Sequence, residues 1–423
     1  MLKHPLRLGA IKRRATSPKG GRASRRPVLV GGTIAPGFEG VKEAFAEARG
    51  ADAGGAQLCV YRGGERVVDL WAGWDATSQR PYGPDTLTVL MSCTKAMTAI
   101  CAHLLSERGL IDLEAPIARV WPRFAAAGKG EITLAQVLSH TSGLAAFDPA
   151  AGIDAAAMLE WEAPTAALAA MSPLWPPGSA AMYHFVTFGF LVGEVVRRVS
   201  GVSLGAFFAR EIAGPLGLDL WIGLPASEEH RVAHHLRPPA RISADQWRRL
   251  LVSAGVDPEN RVASAMVEAF TSTDELIDLM NTPEGHAAEV PAGNGIGNAR
   301  SLARAYAATI GEVDGVRLLS ARTIDRARRR LTDALGPPPP IPAMGGERQR
   351  FGLGFELPRG IIPMLGEGSF GHPGAGGRLA FADPESGYAV AFVCNNMLWD
   401  NQTPDPRWAW NAPLREIAGR QRQ

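Results

Sequence analysis

The apolar positions near the amino-terminal end follow first a helical and then a strand-like spacing. Between residues 38 and 48 they recur on one helix face, which predicts an amphipathic helix. The apolar runs at residues 56–61 and 66–73 flank a polar, glycine-containing segment at residues 62–65. That arrangement predicts two antiparallel strands joined by a tight turn.

Helical spacing dominates the chain after this hairpin. Residues 94–108 keep apolar positions on helical faces, and Gly109 provides a natural stop. Shorter helices are predicted to start at residues 113–116 and to span residues 132–140, the second from a threonine cap. Residues 150–290 are rich in alanine and other helix formers, with proline and glycine between them, so they predict a mainly helical region with few strands.

Strand-like patterns return toward the carboxyl end. Residues 350–355, 377–382 and 387–395 alternate or run apolar between turns, and the last run is apolar enough for a central strand. Residues 408–419 predict a closing helix. Strands at both chain ends with helices between them predict an α/β (α+β) fold, an antiparallel sheet flanked by helices with an inserted, mainly helical region.

This order of elements predicts how the 423-residue chain is divided. A sheet domain would be built from residues 28–115 and 291–423, and residues 116–290 would form the inserted helical region. Residues 1–27 are predicted to be a disordered basic tail. They contain nine basic residues and no acidic one, so the rest of the chain carries a net charge of −7 although the total is +2.

The composition disfavours several classes of protein. No aromatic residues are interleaved among the charges of the basic tail, which predicts a solvated leader and no nucleic-acid partner. The tail lacks the apolar segment of a secretory signal, and no later stretch reaches about 18 apolar residues without charge, so we expect a cytoplasmic protein without a transmembrane segment. The four cysteines have neither CxxC spacing nor histidine partners at ligand spacing, so neither a metal site nor a disulfide framework is expected.

The strongest candidate for chemistry is Ser92, which lies at the start of a predicted helix and has Lys95 three residues later. A serine at the first turn lies beside free backbone N–H groups and the positive end of the helix dipole, which favours an alkoxide. The three-residue spacing places both side chains on one helix face. A lysine desolvated there could lose its proton and accept the hydroxyl proton of Ser92. Alone, the motif is more often a capping serine with a surface lysine.

A longer pattern supports the catalytic interpretation. In residues 92–95, 109–116 and 137–144 the chain resembles the serine β-lactamase and penicillin-binding-protein superfamily, within it the class C-like branch, and above all the family VIII carboxylesterases. The resemblance extends over about residues 28–400 and implies a β-lactamase/transpeptidase-like fold. The chain contains no Gly-x-Ser-x-Gly elbow, no phosphate-binding glycine loop and no zinc-protease motif, so other hydrolase and nucleotide-binding sites are disfavoured.

The resemblance implies a role for a second motif, Tyr183-His184-Phe185. The family has Tyr-x-Asn here, and its tyrosine faces the nucleophile. Tyr183 would therefore share the general-base work with Lys95 and protonate the leaving group. Phe185 replaces the asparagine that helps β-lactamases hold the amide side chain of the antibiotic, which counts against β-lactam turnover. Without the resemblance, Tyr183 would be taken for an ordinary half-buried tyrosine.

A third motif, His372-Pro373-Gly374, matches the family's Lys-Thr-Gly on the strand that lines the site. His372 replaces the lysine, as in esterase-like members. Gly374 allows the backbone to approach a substrate closely, and the resemblance implies that the Ala375 N–H joins that of Ser92 in an oxyanion hole. A plain tight turn is the alternative for these glycines. His140 is predicted to be structural, a buried histidine that bonds loop backbone.

Together these motifs predict a serine carboxylesterase that forms an acyl-enzyme on Ser92 and needs no cofactor. Its partner would be a small-molecule ester, and resemblance implies short acyl chains. Four aromatic residues are candidates for the apolar walls of the acyl site or for core: Phe147, Trp175, Phe185 and Phe188. A β-lactamase or D-amino-acid peptidase is the alternative enzyme, and a catalytically idle binding or scaffold relative is the alternative from another class. The sequence leaves the oligomeric state open.

Overall fold

The computed structural model describes residues 29–49, 52, 54–75, 77–237, 241–342, 348–399 and 402–420. The tail predicted over residues 1–27 lies outside these described residues. The strands are β1 Val30–Ile34, β2 Ala56–Arg62, β3 Glu65–Ala72, β4 Trp74–Asp75, β5 Arg80–Pro81, β6 Thr88–Val89, β7 Leu220–Trp221, β8 Ile296–Gly297, β9 Phe370–Gly374, β10 Arg378–Asp383 and β11 Tyr388–Cys394.

The α-helices alternate with short 3₁₀ turns and lie mostly between β6 and β9. They are α1 Glu39–Arg49, α2 Thr94–Glu107, α3 Leu134–Leu138, α4 Glu162–Ala170, α5 Thr187–Ser200, α6 Leu204–Phe208, α7 Gly214–Leu216, α8 Ala244–Ser253, α9 Arg261–Leu279, α10 Pro283–Ala287, α11 Ala299–Ile310, α12 Ala321–Ala327 and α13 Asn411–Arg420. Across the described ranges, no helix has both the length and the apolar character needed to cross a membrane.

Six strands form one antiparallel sheet in the order β1-β3-β2-β11-β10-β9. The pairing of β2 with β11, in which Val60 lies opposite Val390, joins the two ends of the chain at the centre of the sheet. The strand predicted over residues 387–395 is therefore central, as its apolar run indicated, and the α/β (α+β) class is confirmed. The division of the chain into domains at particular residues stays a prediction.

Alternating side chains of the central strands pack into two separate cores. On β11, Val390 and Phe392 join α1 and α13 on one face, where Trp410 is also buried. On the opposite face, Ala389 and Ala391 join a larger core that contains α2, α5 and α11. Small residues on that face allow α11 to lie directly against the sheet. The helix that follows Ser92 is thus fixed inside the larger core.

A second, three-stranded sheet, β6-β8-β7, lies next to the start of α2. Thr88 of β6 pairs with Gly297 of β8, and the Leu90 N–H then donates to the Gly295 carbonyl at 2.8 Å. This small sheet fixes the backbone immediately before Ser92. The short segment between β6 and the nucleophile is therefore held by strand pairing as well as by packing.

Three sequence predictions differ from the structure. Residues 350–355 do not form a strand, because positive φ at Gly354 and a bond from the Gly352 N–H to the Phe355 carbonyl fold this segment into a tight loop. The helix predicted from residues 113–116 is instead the 3₁₀ turn Ile117–Arg119. Helix α3 is capped by Thr133 as predicted, but it ends at Leu138, two residues before the predicted end.

Candidate active site

Ser92 lies in a 3₁₀ turn, Met91–Cys93, that leads directly into α2. Met91 has φ of +51°, an unusual value for a residue with a side chain, so the chain reverses sharply just before the serine. The Thr94 hydroxyl holds this turn, because it donates to the Met91 carbonyl at 2.7 Å and accepts from the Gly295 N–H at 2.9 Å. Ser92 is partly exposed, whereas its two neighbours are buried.

The Lys95 side chain is fully buried next to Ser92. Its Nζ lies 3.3 Å from Ser92 Oγ and donates to the Ala292 carbonyl at 2.9 Å. Burial lowers the pKa of Lys95 to about 7. Cys93 and the carboxylate of Glu356 act in the opposite direction and raise this pKa, but less than burial lowers it. A lysine with this pKa is neutral in a large fraction of molecules near pH 7, so it can accept a proton from Ser92.

Tyr183 faces both residues from the loop before α5. Its hydroxyl hydrogen-bonds Ser92, and Lys95 Nζ lies 4.8 Å from the centre of its ring. Burial raises the pKa of Tyr183 well above its ordinary value. The phenol therefore stays protonated near pH 7 and carries a proton that it can donate. The structure brings Ser92, Lys95 and Tyr183 into one cluster, although Ser92 and Tyr183 are 91 positions apart in the sequence.

The motif His372-Pro373-Gly374 forms the end of β9 and lies against the serine turn. The His372 carbonyl accepts a bond from Cys93 Sγ at 3.1 Å. A Cβ at Gly374 would lie 2.5 Å from the Leu90 carbonyl oxygen, so only glycine allows this approach. Ala375 follows in the turn, partly buried against the larger core. The β9 end is thus adjacent to the backbone that carries Ser92.

The ring of His372 is uncharged near pH 7. Its Nδ1 lies 2.7 Å from the Pro373 carbonyl, which identifies Nδ1 as the protonated nitrogen. Nε2 then has a free lone pair, and it is buried without a hydrogen-bond partner among the described residues. Burial, followed by the charge of Lys95, lowers the pKa of His372 to about 3. This position therefore offers a neutral acceptor and no positive charge.

Of the four aromatic residues considered for the walls of the site, Phe185 is the one whose ring contacts that of Tyr183 among the described residues. Its ring lies 5.0 Å from that of Tyr183 and 5.1 Å from that of Phe270. The other three are core residues, since their exposed fractions are all below a tenth: Phe147, Trp175 and Phe188. Phe185 thus places an aromatic face beside the nucleophile where no amide group could form hydrogen bonds.

His140 supports Tyr183 from behind. It is buried with φ of +61°, and its Nδ1 accepts the His184 N–H at 3.1 Å. Its ring lies 4.9 Å from that of Tyr183 and 4.3 Å from that of Phe351. These contacts fix the loop that carries Tyr183, and they agree with a structural role.

Two features of the site could not be read from side-chain motifs. One is the Ala292 carbonyl, a backbone group that only the folded chain brings to Lys95. The other is a buried ion pair, in which Arg359 Nε lies 2.9 Å from Glu356 Oε1. The Glu356 carboxylate raises the pKa of Lys95 and that of Tyr183. The Glu-x-x-Arg spacing just after the strand predicted over residues 350–355 gives no sequence signal for this role.

No cluster suited to a metal ion occurs among the described residues. In those ranges, no three histidine, cysteine, aspartate or glutamate side chains come together in a way that could hold one. The four cysteines are buried and unpaired. The groups available for chemistry at Ser92 are therefore a neutral or charged lysine, a phenol, a neutral imidazole and backbone N–H groups.

Comparisons with known proteins place this geometry in context. The protein-family model named Beta-lactamase matches residues 41–412. The esterase/beta-lactamase LipL of Mycobacterium tuberculosis (strain ATCC 25618 / H37Rv) is 35% identical over 404 residues, which cover 92% of this chain and 88% of LipL.

Two solved structures are also similar. A family VIII carboxylesterase is 36% identical with a TM-score of 0.74, covering 93% of this chain and 99% of its own. A penicillin-binding-protein homologue from Caulobacter crescentus is 34% identical with a TM-score of 0.75, covering 92% of this chain and 100% of its own. These likenesses confirm the β-lactamase/transpeptidase-like fold.

Proposed function

The chain belongs to the β-lactamase family and is a serine hydrolase, and we propose that it hydrolyses carboxylic esters through an acyl-enzyme on Ser92. The observation that carries the proposal is the cluster of Ser92 Oγ, Lys95 Nζ at 3.3 Å and the hydrogen-bonded Tyr183 hydroxyl. A nucleophile, a base and an acid within hydrogen-bond reach are what acyl transfer requires.

In this mechanism Lys95 is the base for acylation. Its pKa of about 7 lies where a base can be unprotonated and still accept a proton readily. As Ser92 Oγ bonds to the ester carbonyl carbon, its proton passes to Lys95 Nζ. The Ala292 carbonyl accepts a hydrogen bond from the resulting ammonium, which helps to hold the charge in a buried position.

Tyr183 then completes the proton transfers. Because its pKa is raised well above its ordinary value, its hydroxyl is a donor that can protonate the leaving alcohol, and Lys95 can return a proton to it. The N–H groups of Ser92 and Ala375 would hold the developing oxyanion. Water then attacks the acyl-enzyme with the same groups acting in reverse.

The surroundings of the nucleophile favour neutral esters, and the resemblance implies that their acyl chains are short. His372 is neutral and Phe185 is aromatic, so neither can pair with a substrate carboxylate or hold an amide side chain. A second candidate activity is β-lactam hydrolysis, since the related LipL is named both esterase and beta-lactamase. Peptidase activity on D-amino-acid substrates and a catalytically idle relative are disfavoured by the same site.

The test of the proposal combines covalent labelling with paired substrates. The purified protein is treated with a fluorophosphonate and mapped by mass spectrometry, and its rates on p-nitrophenyl butyrate and a chromogenic cephalosporin are compared. We expect labelling at Ser92 and a kcat/KM for the ester well above that for the cephalosporin. An unlabelled Ser92, or a cephalosporin turned over faster than the ester, would overturn the proposed activity.

The pH dependence of the ester reaction should report Lys95. Since the base must be neutral, kcat/KM is expected to rise about tenfold per pH unit below pH 7 and to level off above an apparent pKa of about 7. Glu356→Gln removes a carboxylate that raises the pKa of Lys95, so the profile should move to lower pH.

Glu194→Gln is the matched control for this shift. Glu194 is equally buried and paired with Arg197 and Arg198, but it lies on α5 and does not affect the pKa of Lys95. Its profile should coincide with that of the unmodified protein. A Glu356→Gln profile that stays in place or moves to higher pH would contradict the role given to the carboxylate.

A further inference from the structure

The turn that follows β9 carries the Ala375 N–H, and it is built from glycines. Residues 374–377 connect β9 to β10, and the Gly377 N–H donates to the Gly374 carbonyl at 3.1 Å. Gly376 and Gly377 have φ values of +81° and +108°. Glycine at these positions has wide conformational freedom, so the backbone alone would leave the direction of the Ala375 N–H poorly defined.

Side chains outside the site hold three consecutive carbonyl groups of this turn. Arg378 Nη1 donates to the Ala375 carbonyl at 2.8 Å, and Trp408 Nε1 donates to the Gly377 carbonyl at 2.9 Å. Between them, Arg407 Nη2 donates to the Gly376 carbonyl. Two of the three donors therefore come from the short segment Pro406–Trp408, which lies far from Ser92 in sequence.

The Arg407 bond reaches the Ala375 N–H through two peptide planes, and the Trp408 bond holds the next plane, which starts at the same Gly377. A trans peptide is flat, with its carbonyl and its N–H on opposite edges, so fixing one edge directs the other. Arg407 holds the Gly376 carbonyl, whose plane carries the Gly377 N–H. That N–H bonds the Gly374 carbonyl, whose plane carries the Ala375 N–H.

Arg407 is itself held rigidly. Its side chain is buried between two carboxylates, with Nη2 2.6 Å from Asp405 Oδ2 and Nη1 3.3 Å from Asp52 Oδ2. Nη1 also donates to the Asn396 carbonyl at 2.7 Å. A Cβ at Gly377 would lie 2.1 Å from Arg407 Nη2, so the glycine is needed for the arginine to reach the turn.

We propose that Arg407 and Trp408 are positioning residues for ester hydrolysis, which orient the Ala375 N–H toward the developing oxyanion by clamping the glycine turn from behind. The inference rests on the proposed function, because it assumes that the Ala375 N–H acts in the oxyanion hole. Neither side chain touches the substrate. Their effect is on the transition state, where an oxyanion-hole donor acts, and not on ground-state binding.

The test compares two tryptophans of the same core. Trp408→Phe removes the bond to the Gly377 carbonyl, whereas Trp410→Phe removes an indole N–H that has no partner among the described residues. Arg407→Lys keeps the positive charge between Asp405 and Asp52 but loses the fork that reaches the turn. Each variant is assayed for kcat and KM on p-nitrophenyl butyrate and for inhibition by an alkylboronic acid, whose serine adduct mimics the tetrahedral intermediate.

We expect kcat to fall about tenfold or more in Trp408→Phe and Arg407→Lys, while KM changes less than about twofold. The fall in kcat should not exceed the ~10²–10³-fold loss that follows complete removal of one oxyanion-hole donor. The boronic acid inhibition constant should rise by a similar factor, and Trp410→Phe should match the unmodified protein. Equal losses in both tryptophan variants, or a lower kcat with unchanged boronic acid inhibition, would overturn the clamp. If Ser92 of the unmodified protein is not labelled by fluorophosphonate, it is the proposed function that fails.

Discussion

Ser92→Ala is expected to lower kcat/KM for p-nitrophenyl butyrate by roughly 10⁴-fold or more and to abolish fluorophosphonate labelling. The hydroxyl of Ser92 is the only oxygen that Lys95 Nζ and the Tyr183 hydroxyl both reach in the described site. Removing it eliminates the covalent route, and the remaining backbone donors can support only slow attack by water. Initial rates corrected for spontaneous hydrolysis measure the loss.

Ser179→Ala is the control for that substitution. Ser179 is exposed in the loop before Tyr183, and within the described ranges its hydroxyl bonds the Pro176 carbonyl alone. Its loss should leave both the rate and the labelling unchanged. If Ser92→Ala instead kept an appreciable share of the activity, another residue would have to be the nucleophile, and the roles of Lys95 and Tyr183 would have to be reassigned.

The pairing of Ser92 with Lys95 could be predicted because it depends only on helix geometry. Three residues along a helix return to the same face whatever the rest of the chain does. The hairpin of β2 and β3 was also predictable, since its apolar runs and its two-residue glycine turn are local signals. Tyr183 and His372 could be assigned only through the resemblance, because nothing local brings residues so distant in sequence together.

The groups that tune Lys95 could not be predicted from the sequence. The Ala292 carbonyl is backbone, and the ion pair of Glu356 with Arg359 follows the strand predicted over residues 350–355, where no motif pointed to the site. Burial decides the pKa of Lys95, and burial is a property of the whole fold. The clamp on Ala375 has the same origin, because Arg407 reaches the glycine turn only once β9, β10 and the carboxyl-terminal segment are assembled.

Lys95→Met is expected to lower kcat/KM by roughly 10²–10⁴-fold while the protein stays folded. Methionine fills a similar volume and needs no solvation, so the substitution removes an amine whose burial is unfavourable. The Ala292 carbonyl loses a donor, at a cost of ~1–3 kcal/mol, and the removal of the buried amine offsets part of it. Thermal unfolding followed by circular dichroism should therefore change little, and the acid limb of the pH profile should disappear.

Lys129→Met is the control for Lys95→Met, and it is expected to lower stability while leaving activity unchanged. Lys129 is also fully buried, but its Nζ donates to the carbonyls of Ala126, Ala169 and Met171, away from Ser92. Leaving these acceptors without a donor should lower the unfolding temperature clearly, whereas kcat per folded molecule, measured below the transition, should be retained. A Lys95→Met protein that lost stability but kept its kcat per folded molecule, as is expected for Lys129→Met, would contradict its role as the base.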